Sequence, residues 1–216
     1  SIGIAIFPED RAEPNALLRE ADTAMYRAKD LGRNTHAFFT ADMAIRVGRR
    51  MLIENSLRLG LQNDELFLEY QPQFDLASKA VVGVEALLRW RNKEEIIYPD
   101  IFLRIAEESG LISEIDEWVI DAVCRQILAW DCAGMRGLPV AINLSSQHFL
   151  RPKLLARLAG QVGTARIATR RLCLEIAEDV LVDFETAPRL LGNLHENGFR
   201  ISVDNFGSGH ASQRYL

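Results

Sequence analysis

Five short apolar runs, at 66–71, 80–87, 138–143, 171–176 and 199–204, alternate with stretches whose apolar residues recur at helical spacing. That alternation constrains the fold more than any other feature, because strand and helix in turn build a parallel sheet, open or closed into a barrel. The helical stretches are well marked. Val119, Val123, Ile127 and Trp130 share a face behind Ser113-x-x-Asp116, which has the form of an N-terminal capping signal. Pro188 opens another helix that ends before Gly198. Ahead of the alternation stands a smaller set of elements: a strand-like run at 2–7, a turn at Pro8-Glu9-Asp10, a helix carrying Leu17, Ala21, Ala24 and Ala28 that stops near Gly32, and a strand at 37–39. A helix from 42 to about 62, with Ile53, Leu57 and Leu61 on one face, joins the two sets. Arg46, Arg49 and Arg50 near its start read as a solvated face.

Composition narrows the function classes. The 216 residues carry 25 Lys+Arg against 30 Asp+Glu, a net charge of −5, so no basic stripe is available to displace counterions and no DNA or RNA binding is expected. An anionic substrate would need a local device such as a metal ion. No apolar run approaches the roughly 18 to 20 residues of a membrane-spanning helix. Cys124, Cys132 and Cys173 form no CxxC, which fits a reducing, cytoplasmic setting better than a disulfide framework.

In α/β folds chemistry collects at the carboxyl ends of the strands. Glu85 follows Val81-Val82-Gly83-Val84, Asn143 follows Val140-Ala141-Ile142, Glu175 follows Leu172-Cys173-Leu174, and Asp204 follows Ile201-Ser202-Val203. Each of these residues taken singly has the alternative of a helix cap, a turn former or an ion-pair partner. As a series they would bring three carboxylates and an amide to one rim, where mutual repulsion calls for a hard divalent cation. His36, His148, His195 and His210 are too scattered for a zinc site. Gly207-Ser208-Gly209 lacks the third glycine of a dinucleotide loop, and neither a GxSxG elbow nor a GxxxxGK loop occurs.

Tyr70-Gln71-Pro72, Glu85-Ala86-Leu87-Leu88-Arg89-Trp90, Ala106-Glu107-Glu108-Ser109-Gly110-Leu111-Ile112, Asn143-Leu144-Ser145, Glu175-x-x-Glu178 and Asp204-Asn205-Phe206-Gly207-Ser208-Gly209 follow in that order. From about residue 45 onward the chain therefore resembles EAL domains, the cyclic di-GMP phosphodiesterases. Upstream, Ser1-Ile2-Gly3-Ile4-Ala5, Ala21-Asp22-x-Ala24-Met25-Tyr26-x-Ala28-Lys29 and Gly32-Arg33-Asn34 resemble the closing segment of a GGDEF (diguanylate cyclase) domain. The resemblance implies a TIM-like (βα)8 barrel with an antiparallel first strand, of which about five strands are present, preceded by the end of an α/β GGDEF domain. The corresponding boundaries are 1–40 for the GGDEF part, 41–62 for a linker and N-terminal helix, and 63–216 for the EAL part. It implies Mg2+ or Mn2+ held by Glu85, Asn143, Glu175 and Asp204, and attack of an activated water on cyclic di-GMP to give linear pGpG. Gln71 and Arg89 match positions that contact the ligand, and Glu178 matches a glutamate that braces the loop at 205–213. A cytoplasmic homodimer is implied, and any inner-membrane tether would lie upstream.

The departures from the family pattern carry their own expectations. Asn205 stands where active members carry a second aspartate that helps hold a second metal, and an amide is the weaker ligand. His210 and Gln213 replace the usual Tyr and Leu, and the family's His-Pro pair is absent at Arg91-Asn92-Lys93. The family's sixth-strand lysine and the later glutamate and glutamine would fall after Leu216. A closed barrel needs about 250 residues and eight strands, so the 216-residue chain by itself is expected to be inactive. Two other readings stand beside hydrolysis in the intact protein: a degenerate EAL module that binds cyclic di-GMP or a protein partner without turnover, and a metal-dependent barrel enzyme acting on a carbonyl substrate.

Overall fold

In the structure, a computed structural model, residues 1–7, 13–149, 154–178, 181, 187–204 and 206 are described. The turn expected at 8–10 lies outside them. The chain divides into two units, Ser1–Leu57 and Arg58–Leu216. In the first, β1 (Ile2–Ile4) pairs in parallel with β2 (His36–Phe38), and α1 (Pro14–Asp30) makes the crossover. Ala24 and Ala28 are fully buried, which gives α1 a face of small residues against this ribbon. The approach is close enough to require Gly3, because a methyl group there would run into the Ala21 carbonyl oxygen and the backbone of Met25. Phe39 and Met43 complete this small core. α2 (Ala41–Gln62) begins in the first unit, and its last turns belong to the second.

The second unit is built on a six-stranded mixed sheet. β3 (Leu66–Phe74) runs antiparallel to β4 (Val81–Asn92), and β6 (Val140–Leu144), β7 (Leu172–Ala177) and β8 (Arg200–Asp204) follow in parallel, in the order β3-β4-β6-β7-β8. β5 (Glu95–Ile97) folds back on the far end of β4. The crossovers contain α3 (Pro99–Ser109), α4 (Ile112–Cys132), the single turn α5 (Ser146–Phe149), α6 (Leu154–Thr164) and α7 (Ala187–Glu196). An antiparallel first strand followed by parallel strands is part of a TIM-like barrel, as expected. Val84, Ala86, Leu88 and Trp90 of β4, with Leu172, Leu174 and Ile176 of β7, form the buried side of the sheet. On α4, Val119, Val123 and Ile127 are buried as their spacing predicts.

Two local expectations need correction. Ser113-x-x-Asp116 does not cap α4. Gly110, at φ 81°, closes α3 so abruptly that α4 starts at Ile112, and the Leu111 carbonyl accepts from the Glu114 and Ile115 amides. Ser113 and Asp116 are therefore buried inside the first turns, and Asp116 Oδ2 accepts a hydrogen bond from Ser145 Oγ at 2.5 Å. The second correction concerns length: β4 continues to Asn92 and turns through Lys93, φ 58°, into a strand that the sequence does not announce. Two-residue hairpin turns with a positive φ usually advertise themselves with Gly or Asn.

All three cysteines are free, and burial pushes the Cys124 thiol up to about 11. Among the described residues no helix is long and apolar enough to cross a membrane.

Trp90, fully buried, ties the sheet to the end of α2. Its indole Nε1 donates to Glu65 Oε2 at 3.1 Å, its ring meets Phe102 edge-on at 5.7 Å, and a methyl on Gly60 would lie 2.7 Å from the same indole nitrogen. Gly60→Ala gains about 1 kcal/mol of helix propensity but overpacks a ring that cannot move, at a cost of about 1–3 kcal/mol. Thermal unfolding of that variant should show a net loss of stability.

Candidate active site

Successive side chains of a strand point to opposite faces, so with Val84, Ala86, Leu88 and Trp90 buried against the helices, β4 presents Glu85, Leu87 and Arg89 on its other side. The register carries this face across the sheet. Gln71 of β3 lies opposite Glu85, Asn143 of β6 opposite Glu175 of β7, and Asp204 of β8 opposite Ala177, two residues beyond Glu175. Gln71, Glu85, Arg89, Asn143, Glu175 and Asp204, all singled out in the sequence, thus share one sheet face.

Glu85 touches both Asn143 and Glu175, and the charge of Asp204 acts on Glu175. Asn143 Nδ2 donates to Glu85 Oε1 at 2.9 Å. Glu175 is partly buried, and burial, the charges of Glu85 and Asp204, and a hydrogen bond with Glu85 push its carboxyl up to about 7. A hydrogen bond between two carboxyl groups needs a proton on one of them, which is how the cluster relieves its repulsion. Glu178, one residue past β7, is buried. Asn205, the rest of the loop at 207–213, and the side chain of His148 lie outside the described residues.

Arg89 occupies the other end of the face. Its Nε donates to Glu69 Oε2 at 2.8 Å and its Nη1 to the Leu88 carbonyl at 2.8 Å, while its Cζ sits 5.0 Å from the centroid of the Tyr98 ring. Neither Glu69 nor Tyr98 was singled out in the sequence. Two-residue alternation from Gln71 could have found Glu69, whereas Tyr98 depends on the unannounced β4–β5 hairpin. A cavity of about 360 Å³ reaches the site at Asn143 and is otherwise lined by Leu87, Pro99, Leu103, Glu107 and Ser145 among others.

Among the described residues no three His, Cys, Asp or Glu side chains are gathered into a ready coordination set. The donor chemistry nevertheless fits a hard divalent cation: three carboxylates and an amide on one face, with Glu175 raised first by its burial and then by the charges of Glu85 and Asp204.

Known proteins resemble this chain over its whole length. The EAL domain family model matches residues 54–216, and the model for the diguanylate cyclase GGDEF domain matches residues 1–35. MucR of Pseudomonas aeruginosa, a bifunctional diguanylate cyclase/cyclic di-GMP phosphodiesterase, is 37% identical over 218 residues, covering 100% of this chain and 32% of the relative. NbdA of the same organism, a cyclic di-GMP phosphodiesterase, is 34% identical over 218 residues, covering 100% and 28%. The chain thus spans about a third or less of the length of these relatives. Among solved structures, the PaMucR phosphodiesterase in complex with c-di-GMP superposes with a TM-score of 0.72 at 35% identity, covering 76% of this chain and 68% of the other. The EAL domain of Xanthomonas citri FimX in complex with c-di-GMP gives 0.70 at 26% identity, covering 80% and 68%.

The raised Glu175 carboxyl has a consequence for stability. In metal-free protein the folded state keeps this proton up to about pH 7, whereas a carboxyl with the ordinary value of 4.5 releases it earlier. The folded state therefore binds more protons across that window, and stability falls as pH rises from about 4.5 to 7. Urea midpoints measured in chelator over that range should decline, and Glu175→Gln should flatten the decline.

Proposed function

The chain belongs to the EAL domain family, and from that premise we propose that the protein hydrolyses cyclic di-GMP to linear pGpG. The observation that carries this reading is the single sheet face on which Glu85, Asn143, Glu175 and Asp204 stand together, with Arg89 farther along β4. Hydrolysis adds water across one phosphodiester link. The P–O3′ bond breaks, a water oxygen stays on the new 5′-phosphate, and a proton ends on O3′.

Glu85, Asn143, Glu175 and Asp204 would hold Mg2+ or Mn2+, with Asn205 as the candidate for a second position. Such an ion supplies, when bound, a water that ionises near neutral pH and positive charge against the phosphoryl oxygens. The chain's own groups do the rest. Asn143 fixes the Glu85 carboxylate through its amide, and the planar donors of Arg89 suit two oxygens of one phosphate. Gln71, across from Glu85, offers an amide to the rest of the ligand. The family resemblance gives Glu178, buried just past β7, the part of bracing the segment at 205–213.

The reading without turnover rests on Asn205. Relatives whose names include phosphodiesterase, and which match the whole of this chain, favour hydrolysis instead. Residues 1–40 then form the closing part of a GGDEF domain, 41–62 the connecting helix and 63–216 the start of the EAL domain, in a cytoplasmic homodimer whose mass sedimentation would report.

Full-length protein incubated with cyclic di-GMP and Mg2+ or Mn2+ should release pGpG, resolved by ion-exchange chromatography. Glu175→Gln should lower kcat by about 100-fold or more, and Arg89→Lys should raise KM by about 10-fold. Absence of turnover by the unaltered protein with every divalent ion would overturn the reading.

A further inference from the structure

Tyr98 is 55% exposed, so the core does not require its ring, yet the chain holds it over the Arg89 guanidinium by two backbone devices. The antiparallel register of β4 and β5 pairs Trp90 with Ile97, and continuing it by one residue sets Tyr98 across from Arg89. Pro99 follows at the first position of α3, and a residue preceding proline is confined to extended backbone, where Tyr98 sits at φ −85°, ψ 156°. From the other side Glu69, which lies opposite Leu87 on the same sheet face, takes the Nε–H. The Leu88 carbonyl takes one Nη1–H, and Nη2 makes no hydrogen bond among the described residues. One face of the guanidinium plane and its Nε edge are thus occupied, while the side chain is only 12% exposed. What remains is the Nη2 end and the second Nη1–H, two parallel donors of the kind that grip two oxygens of a phosphodiester.

We propose that Glu69 and Tyr98 are positioning residues: they hold the Arg89 guanidinium so that its Nη1–Nη2 edge meets a phosphodiester of the ligand. This rests on the reading of Arg89 as a ligand contact. Glu69 acts by geometry rather than by charge, since its carboxylate is 51% exposed and screened by water. Tyr98 acts through its π face, which attracts a guanidinium in a way an aliphatic side chain of similar bulk cannot. An arginine left free would have to be ordered by each arriving ligand, and that ordering weakens binding.

The test uses the full-length protein, cyclic di-GMP and steady-state kinetics. Glu69→Ala and Tyr98→Ala should each raise KM about 3- to 10-fold and leave kcat within about twofold. Tyr98→Phe and Glu69→Gln, which keep the ring face and the acceptor oxygen, should restore KM, and Tyr98→Leu should not. In an Arg89→Ala background the same alanine substitutions should have no further effect, because their action passes through that side chain. Unchanged KM in both single variants, or equal losses with and without Arg89, would overturn the positioning role while leaving hydrolysis standing. Failure of the unaltered protein to bind or turn over cyclic di-GMP would instead remove the functional reading, and the ligand role of Arg89 with it.

Discussion

The register of β4 is the constraint on which the site depends. This twelve-residue strand is hydrogen-bonded on both edges, antiparallel to β3 on one side, and on the other antiparallel to β5 and parallel to β6. A slip of one residue would turn Val84, Ala86, Leu88 and Trp90 out of the core and drive Glu85 and Arg89 into it. Burial of four apolar side chains, each stabilising by about 1.5–3 kcal/mol when large, opposes that slip. The chemistry is thus aimed by residues that never touch it. Glu85 and Arg89 point where they do because their sequence neighbours are apolar.

The same strand separates two charge regimes. Four residues at about 3.3 Å each place Glu85 and Arg89 about 13 Å apart along β4, beyond the roughly 8–10 Å over which exposed charges act strongly in physiological salt. The acids therefore cannot settle their repulsion on the arginine. Glu175, raised first by burial and further by its acidic neighbours, holds a proton more tightly, and Arg89 pairs with Glu69. A closer spacing would let acid and guanidinium neutralise each other, and neither would keep an appetite for a cation or a phosphate.

Much of this was legible in the sequence because strand periodicity and burial are two views of one quantity. Glu85, Asn143, Glu175 and Asp204 could be placed on one rim from the apolar residues before each of them, without any knowledge of contacts. Where reading failed, tertiary context overrode a local signal. Ser113-x-x-Asp116 has the spacing of a cap, but the break at Gly110 started α4 early and swallowed both residues, leaving Asp116 to bind Ser145. β5 escaped notice because its turn uses Lys93 where glycine or asparagine would be the usual sign. Glu69 and Tyr98 were invisible for a related reason: their importance lies in what stands beside them.

The hairpin that carries Tyr98 also orders the assembly of the site in time. Arg89 meets Tyr98 nine residues along the chain and Glu69 twenty residues back, through antiparallel pairings of neighbouring strands. Asn143 reaches Glu85 across fifty-eight residues and a helical crossover. Loop closure favours short separations, and hairpins form in microseconds, whereas parallel pairings wait for their crossovers. On a chain growing from its N-terminus, the residues of the guanidinium clamp emerge before Asn143 of β6 and the acids of β7 and β8. The cationic half of the site is a local product of folding, and the anionic half, begun at Glu85, is completed late by Glu175 and Asp204.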